Sequence, residues 1–127
     1  MRVNGEEQTA ELDHGYFCIT RDWKAGDEVE LHFDMEPRLV RAHEAVEADR
    51  GRLAVERGPL VYCAEWPDNE GDVLEATVAV GDELTTELRR DLLGGIRVIR
   101  DGDLTLIPYY AYCHRGPGHM QVWMQER

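Results

Sequence analysis

The residues that could do chemistry in this chain of 127 amino acids are its 26 acids, five histidines and three cysteines. Paired carboxylates could hydrolyse a glycosidic bond, but among so many acids no pair stands out without geometry. The cysteines are far apart and form no Cys-x-x-Cys pair, which argues against a zinc ribbon or a disulfide framework. Cys113, His114 and His119 could share a metal ion, but such ligands also need supporting partners. We therefore predict no catalytic residue and no metal ligand.

Aromatic side chains offer a second kind of chemistry, because an exposed flat ring can stack against a sugar. The candidate carbohydrate-binding residues are Trp66, Tyr109, Tyr110 and Arg115, three rings and one hydrogen-bond donor. The alternative interpretation is that these rings pack in the core and at the edges of a β-structured domain. The sequence leaves both interpretations open.

Charge and composition exclude several classes of function. The net charge of −12 repels phosphate backbones and anionic lipid, so we expect neither nucleic acid nor a membrane as a partner. No apolar run approaches the roughly 20 residues of a membrane-spanning helix. The first residues lack the apolar segment of a signal peptide, which predicts a cytoplasmic location. The sequence has no GxSxG, HExxH, P-loop or GxGxxG motif.

The elements that must position these residues read as short strands. Segment 28–34 (EVELHFD) alternates, and Val29, Leu31 and Phe33 are predicted to face inward. Segment 59–66 (PLVYCAEW) has apolar residues on both faces, which suits the middle of a packed sheet. Further strands are predicted at 14–22, 38–42, 52–57, 73–80, 96–100, 104–107 and 120–124. Residues 84–93 are ambiguous between a strand and a short helix, and 43–50 favours a loop or strand over a helix.

Turn residues separate these strands. Asp101-Gly102 is a strong two-residue hairpin signal, and a further turn is predicted at 81–83. Gly58 and Gly116 each precede a proline, and we expect backbone conformations there that a side chain would resist. The fold class is therefore all-β, an antiparallel, jelly-roll-like β-sandwich with little helix. We predict a single module over residues 1–127, with the acidic loop at 67–72 as its one plausible internal boundary.

Three stretches are more specific than an alternation of apolar residues, and they resemble a known family. They are WKAGDEV at 23–29, GRLAVERGPLVYCAE at 51–65 and PYYAYCHRGPGHMQVW at 108–123. Together they resemble the C-terminal region of glycoside hydrolase family 127, the β-L-arabinofuranosidase family. One departure is His114, where the family often has asparagine.

The resemblance implies an N-terminal (α/α)6 barrel followed by β-sandwich domains. In such enzymes the barrel holds the active site, with a zinc ion bound by cysteines and a glutamate and a cysteine as nucleophile. No stretch of this chain matches the barrel, so no catalytic residue is carried over and no cofactor is expected in this chain. Cys18, Cys63 and Cys113 match sandwich positions, and we predict structural thiols.

Three functions are weighed on this basis. The first is a non-catalytic β-sandwich module that supports the catalytic barrel or contacts a second subunit. The second is a stand-alone carbohydrate-binding module with Trp and Tyr platforms. The third is a small enzyme with an unrecognised site. A large exposed apolar patch would favour the first, because a domain without its neighbour shows its former interface.

Overall fold

The computed structural model describes residues 1–9, 12–81 and 84–127, which form two compact units, Met1–Asp34 and Met35–Arg127. The predicted all-β class is confirmed. The helical parts of the described chain are single 3-10 turns, at Glu47–Asp49, Trp66–Asp68, Val73–Glu75 and Tyr109–Ala111. The turn predicted at 81–83 lies largely outside the described residues.

Within its described residues, 1–9 and 12–34, the first unit contains only two-residue strands. They are β1 (Arg2–Val3), β2 (Glu6–Glu7), β3 (Leu12–Asp13), β4 (Tyr16–Phe17) and β5 (Val29–Glu30). β1 lies between β2 and β5 in an antiparallel sheet, and β3 pairs with β4 in a separate hairpin. The long strand predicted at 14–22 is therefore wrong beyond this hairpin.

The prediction that Val29, Leu31 and Phe33 face inward is also wrong. Their side chains are 48%, 52% and 62% exposed, and the strand extends only over Val29–Glu30. A period of two indicates which residues share a face, but burial needs a second layer to cover that face. Among the described residues of this unit, Val3 is the one buried apolar side chain.

The second unit contains longer strands. They are β6 (Pro37–Val40), β7 (Arg52–Arg57), β8 (Leu60–Glu65), β9 (Thr77–Val78), β10 (Thr85–Arg89), β11 (Ile96–Asp101), β12 (Leu104–Pro108), β13 (Met120–Gln121) and β14 (Met124–Glu126). Their order is β10-β11-β12-β8-β7-β14-β9, with β6 on β7 and β13 on β8. All pairs are antiparallel except β14 with β9.

Both faces of β8 are covered, as its apolar pattern predicts. Tyr62 and Ala64 point into a buried cluster with Leu53, Val55, Val73, Val78, Ile99, Leu106 and Met124. Cys63 points to the other face and packs with Ile96, Val98, Ile107 and Ala111. Tyr62 is fully buried, and its hydroxyl donates a hydrogen bond to the Arg97 carbonyl oxygen at 3.0 Å. β8 is thus the central strand on which both clusters are built.

Several sequence predictions for the second unit are confirmed. The hairpin predicted around Asp101-Gly102 is formed by β11 and β12, but its two turn residues are Gly102 and Asp103, one position later than predicted. Residues 85–89 of the ambiguous segment form a strand. Gly58 and Gly116 have φ angles of 56° and 100°, in the left-handed region that favours glycine. The strand predicted at 73–80 is wrong except at β9, because Asp72 caps a 3-10 turn by accepting a hydrogen bond from the Leu74 backbone N–H.

The two units divide at Asp34 and Met35, whereas the acidic loop at 67–72 lies inside the second unit. That residues 1–127 act as one module stays a prediction, as does the sandwich arrangement of the sheets.

Candidate functional site at the end of strand β8

The candidate site lies where β8 ends and two loops meet. β13 pairs with β8 so that Met120 faces Glu65 and Gln121 faces Ala64. The Trp66 backbone N–H donates to the His119 carbonyl oxygen at 3.1 Å. Residues 113–119, which precede β13, are therefore held beside the 66–72 loop that follows β8. Segments about 50 residues apart in the sequence are brought together by strand pairing.

An ion cluster fixes the first part of this junction. The Arg115 guanidinium donates hydrogen bonds to the Asp68 carboxylate, at 2.6 Å from Nη1 to Oδ1, and to Glu65. Glu65 is only 2% exposed, and its Oε1 accepts a further bond from the Cys113 backbone N–H at 2.7 Å. Cys113 has a φ of 68°, which is uncommon for a residue with a side chain. The buried carboxylate thus anchors the loop in this conformation.

The charges in this cluster stabilise each other. Hydrogen bonds from Arg115 to Asp68 and Glu65 outweigh its partial burial and raise the pKa of the guanidinium. Burial, together with the negative charges of Glu65 and Asp68, raises the pKa of the Cys63 thiol to about 12. Cys63 is therefore protonated at neutral pH, and a neutral thiol is a poor nucleophile and metal ligand. Arg115 is committed to two carboxylates of its own chain.

Trp66 lies beside this cluster and is 42% exposed. A Cβ atom at Gly118 would overlap the pyrrole part of the indole ring, so the backbone of Gly118 lies directly against Trp66. A shallow groove opens here, lined by Trp66, Asp72, Pro117, Gly118 and His119 with the neighbouring Gly71 and Val73. We call it the Trp66 groove.

Two polar side chains meet at one edge of the Trp66 groove. His119 Nδ1 lies 2.9 Å from Asp72 Oδ1, and the same oxygen accepts the Leu74 backbone N–H at 3.0 Å. The hydrogen bond from Leu74, and then that from His119, hold the pKa of Asp72 below its usual range. Asp72 is consequently ionised at neutral pH, and both side chains remain accessible to a ligand.

Tyr109 and Tyr110 do not lie in the Trp66 groove. They follow Pro108, which pairs with Tyr62, and Trp66 is four residues further along from Tyr62, roughly 13 Å at the rise of a strand. Tyr109 packs on Tyr112 with ring centroids 4.9 Å apart, and Tyr110 is 64% exposed. The structure brings Trp66 and Arg115 together and places the two tyrosines elsewhere. As carbohydrate-binding residues, all four stay predictions.

Sequence reasoning missed Asp72 and Gly118 as parts of a site. The only sequence signal was the proximity of glycine and aspartate to an aromatic residue, which is common in loops.

Of the cysteines, Cys63 is buried as predicted, whereas Cys18 is exposed and outside any strand, so its predicted packing role is wrong. In the described part of the chain, no three His, Cys, Asp or Glu side chains form a group that could hold a metal ion. No helix among the described residues is long and apolar enough to cross a membrane.

Comparison with protein families gives two matches that together cover nearly the whole chain. Residues 37–125 match the glycoside hydrolase family 127 C-terminal domain. Residues 1–35 match the GH127 middle domain of β-L-arabinofuranosidases. The border between these matches, at residues 35–37, lies within two residues of the division of the structure between residues 34 and 35.

Individual relatives agree with these matches. A non-reducing end β-L-arabinofuranosidase of Bifidobacterium longum is 33% identical, over 98% of this chain and 23% of the relative. The solved structure of a GH127 β-arabinofuranosidase has a TM-score of 0.85 and 45% identity, over 99% of this chain and 23% of that one. A GH127 β-L-arabinofuranosidase from Geobacillus stearothermophilus T6 also has a TM-score of 0.85, at 34% identity, over 99% of this chain and 24% of that one. The chain thus spans about a quarter of the length of these relatives.

Proposed function

The chain belongs to glycoside hydrolase family 127, and from this membership we propose that it is the non-catalytic, β-structured C-terminal part of a β-L-arabinofuranosidase. In the relatives, this region is one part of a much larger enzyme. Its proposed role is to complete the middle domain and to support the catalytic barrel, or a second subunit, on which the chemistry depends.

The exposed apolar side chains of the first unit carry this proposal. In a unit of 34 residues, large apolar groups are at least 48% exposed at seven positions. They are Leu12, Tyr16, Phe17, Trp23, Val29, Leu31 and Phe33. A stable domain rarely leaves so many of its large apolar groups in water. The match of these residues to the middle domain supports the remainder of that domain as the surface that covers them.

The state of the thiols supports the absence of catalysis by this chain alone. The resembled family uses a zinc-bound cysteine as nucleophile, which requires a thiolate stabilised by the ion. Here the buried Cys63 is kept protonated, while Cys18 and Cys113 are exposed free thiols, one in each unit.

We expect purified chain to release no nitrophenol from an aryl β-L-arabinofuranoside in the presence of zinc and reductant. Turnover above the buffer blank that is lost on changing one carboxylate or cysteine of this chain would contradict the proposal.

A chimera tests the supporting role directly. The matching quarter of the 45% identical GH127 enzyme is replaced by this chain, and hydrolysis of the aryl arabinofuranoside is measured. We expect the chimera to be active, and the double substitution Leu31→Asp and Phe33→Asp to abolish soluble, active enzyme because it places charges in the covered surface.

Leu88→Asp is the matched control for the chimera. Leu88 is 43% exposed on β10 in the second unit, outside the surface proposed to be covered, and its substitution is expected to leave activity within a factor of about two. Full activity of the Leu31→Asp, Phe33→Asp chimera would contradict the proposal, because it would mean that this surface stays in water.

A further inference from the structure

We propose that the Trp66 groove is a binding site for a neutral saccharide. This inference goes beyond the supporting role proposed above, because the groove lies entirely within the second unit and does not involve the apolar surface of the first. The proposed site shares Trp66 with the four residues predicted from sequence. It excludes Arg115 and the two tyrosines, and it includes Asp72 and His119.

The platform for a sugar ring is the indole of Trp66. Gly118 packs against it so closely that no side chain fits at position 118, and the Trp66 backbone N–H is held by the His119 carbonyl oxygen. The ring is therefore fixed by backbone on one side while 42% of the residue stays exposed. A platform fixed before binding loses little conformational entropy when a ligand stacks on it.

Asp72 and His119 supply the polar contacts that such a ligand needs. A carboxylate only accepts hydrogen bonds, so the proton between the two groups belongs to His119 Nδ1. Nε2, the other ring nitrogen of His119, is left for a ligand hydroxyl group. In the described part of the chain, both bonds to Asp72 end on Oδ1, and Oδ2 remains for a ligand. Two adjacent hydrogen-bonding atoms beside an aromatic face, Asp72 Oδ2 and His119 Nε2, match the neighbouring hydroxyl groups of a sugar.

Charge and area restrict the class of ligand. Asp72 lines this groove, Glu70 and Glu75 lie within three residues of it in the sequence, and the chain has a net charge of −12, so an anionic ligand is repelled. One indole ring and one proline provide far less apolar surface than the roughly 800 Å² that each partner buries in a stable protein interface. A neutral saccharide satisfies both restrictions.

The test is a titration of the full chain with cellotetraose, xylotetraose and arabinotetraose, followed by NMR of the tryptophan indole N–H signals. The signal of Trp66 is assigned with Trp66→Phe, which separates it from those of Trp23 and Trp123. We expect at least one neutral tetrasaccharide to shift the Trp66 signal with a dissociation constant of about 1 mM or lower. Trigalacturonic acid, which is anionic, is expected to produce no shift.

Variants locate the site. Affinities of the variants are measured by isothermal titration calorimetry, since Trp66→Ala has no Trp66 signal, and we expect Trp66→Ala and His119→Ala each to weaken binding about tenfold. His114→Ala is the matched control, because His114 is an exposed histidine of the same loop outside the groove lining, and its affinity should match that of the parent chain. Far-UV circular dichroism of each variant establishes that the fold is retained. Where Trp66→Ala fails to fold, His119→Ala and Asp72→Asn decide the outcome.

Three results would overturn the proposal. The first is the absence of any Trp66 shift at about 10 mM of every neutral tetrasaccharide, well above the affinity expected. The second is binding that Tyr110→Ala abolishes and His119→Ala leaves intact, which would place the site on the 3-10 turn Tyr109–Ala111. The third is preferential binding of trigalacturonic acid.

Discussion

The two units of this chain use the same kinds of residue with opposite results. The first unit has two-residue strands, and its large apolar side chains are exposed. The second unit has strands of up to six residues, and its apolar side chains fill two clusters on the two faces of β8. The contrast teaches that alternation and turn residues are sufficient for local strand geometry, while burial depends on whether a covering layer belongs to the same unit.

Polar contacts also differ between the units. In the first unit, an exposed network centred on Asn4 and Asp27 ties the 24–28 turn to β1, through bonds of 2.8 Å from Asn4 to Asp27 and from the Glu28 backbone N–H to Asn4. In the second unit, Arg115 joins two carboxylates that are almost completely buried. The buried network is the one whose loss should affect stability strongly.

The largest effect is expected from Glu65→Ala. It leaves Arg115 with one fewer carboxylate and the Cys113 N–H without its acceptor, which should lower the free energy of unfolding by about 3–5 kcal/mol. Urea denaturation followed by circular dichroism measures this. Glu87→Ala is the control: Glu87 is a half-exposed partner of Arg100 at 3.8 Å, and its loss should cost less than about 1 kcal/mol. Equal costs would remove the distinction between buried and exposed networks.

Matched leucine truncations compare the two units directly. Leu106 is fully buried and Leu31 is 52% exposed. We expect Leu106→Ala to lower the free energy of unfolding by about 3 kcal/mol through lost transfer energy and a cavity. Leu31→Ala should change it by less than about 0.5 kcal/mol. A similar loss in both variants would show that Leu31 is covered in this chain in solution.

Matched glycine substitutions test the turns. Gly58 and Gly15 have φ angles of 56° and 85° and lie in hairpins of the second and first units. Valine strongly resists this conformation, and Gly58→Val should lower stability by about 2 kcal/mol. Gly15→Val should leave the melting temperature of the second unit unchanged and alter only amide signals of its own hairpin. An unchanged melting temperature for Gly58→Val would indicate that the turn relaxes without strain.

The reactivity of the three thiols compares exposed and buried positions in the chain without any substitution. Cys18 and Cys113 are exposed, whereas Cys63 is buried with a pKa raised to about 12. At pH 8 we expect a chromogenic disulfide reagent to modify two thiols of the native chain quickly and the third only in urea. Rapid modification of all three would mean that the cluster around Cys63 opens readily.

The smallest effect is a local pH dependence in the first unit. Hydrogen bonds from the Lys24 backbone N–H and then from the Asn4 side chain lower the pKa of Asp27. A group with a lowered pKa stabilises the folded state above its unfolded value, near 3.9, and this contribution is lost as the pH falls through the folded value. A carboxyl NMR titration should show the Asn4 and Lys24 amide signals moving with Asp27 below about pH 4. Amide signals that move only above pH 5 would contradict this assignment.

Much of the second unit could be predicted from the sequence, because its signals are local. The β11–β12 hairpin depends on Gly102, whose positive φ suits the first position of its two-residue turn. Apolar residues on both faces of 59–66 indicate a central strand. The strand predicted at 73–80 failed because the Asp72 side chain competes for the backbone at the start of that segment. The candidate site was only half predicted, since strand register decides that Trp66 meets Gly118 and His119 instead of the tyrosines.

The sequence by itself determined the all-β class, the turns and the family, because these depend on residue type and on spacing along the chain. The tertiary structure decided which residues meet. It buried Glu65 under Arg115, paired His119 with Asp72 across 47 positions, and left Leu31 and Phe33 exposed despite their alternation. The physical reason is that burial and ion pairing depend on contacts between distant segments, whose distances no local pattern contains.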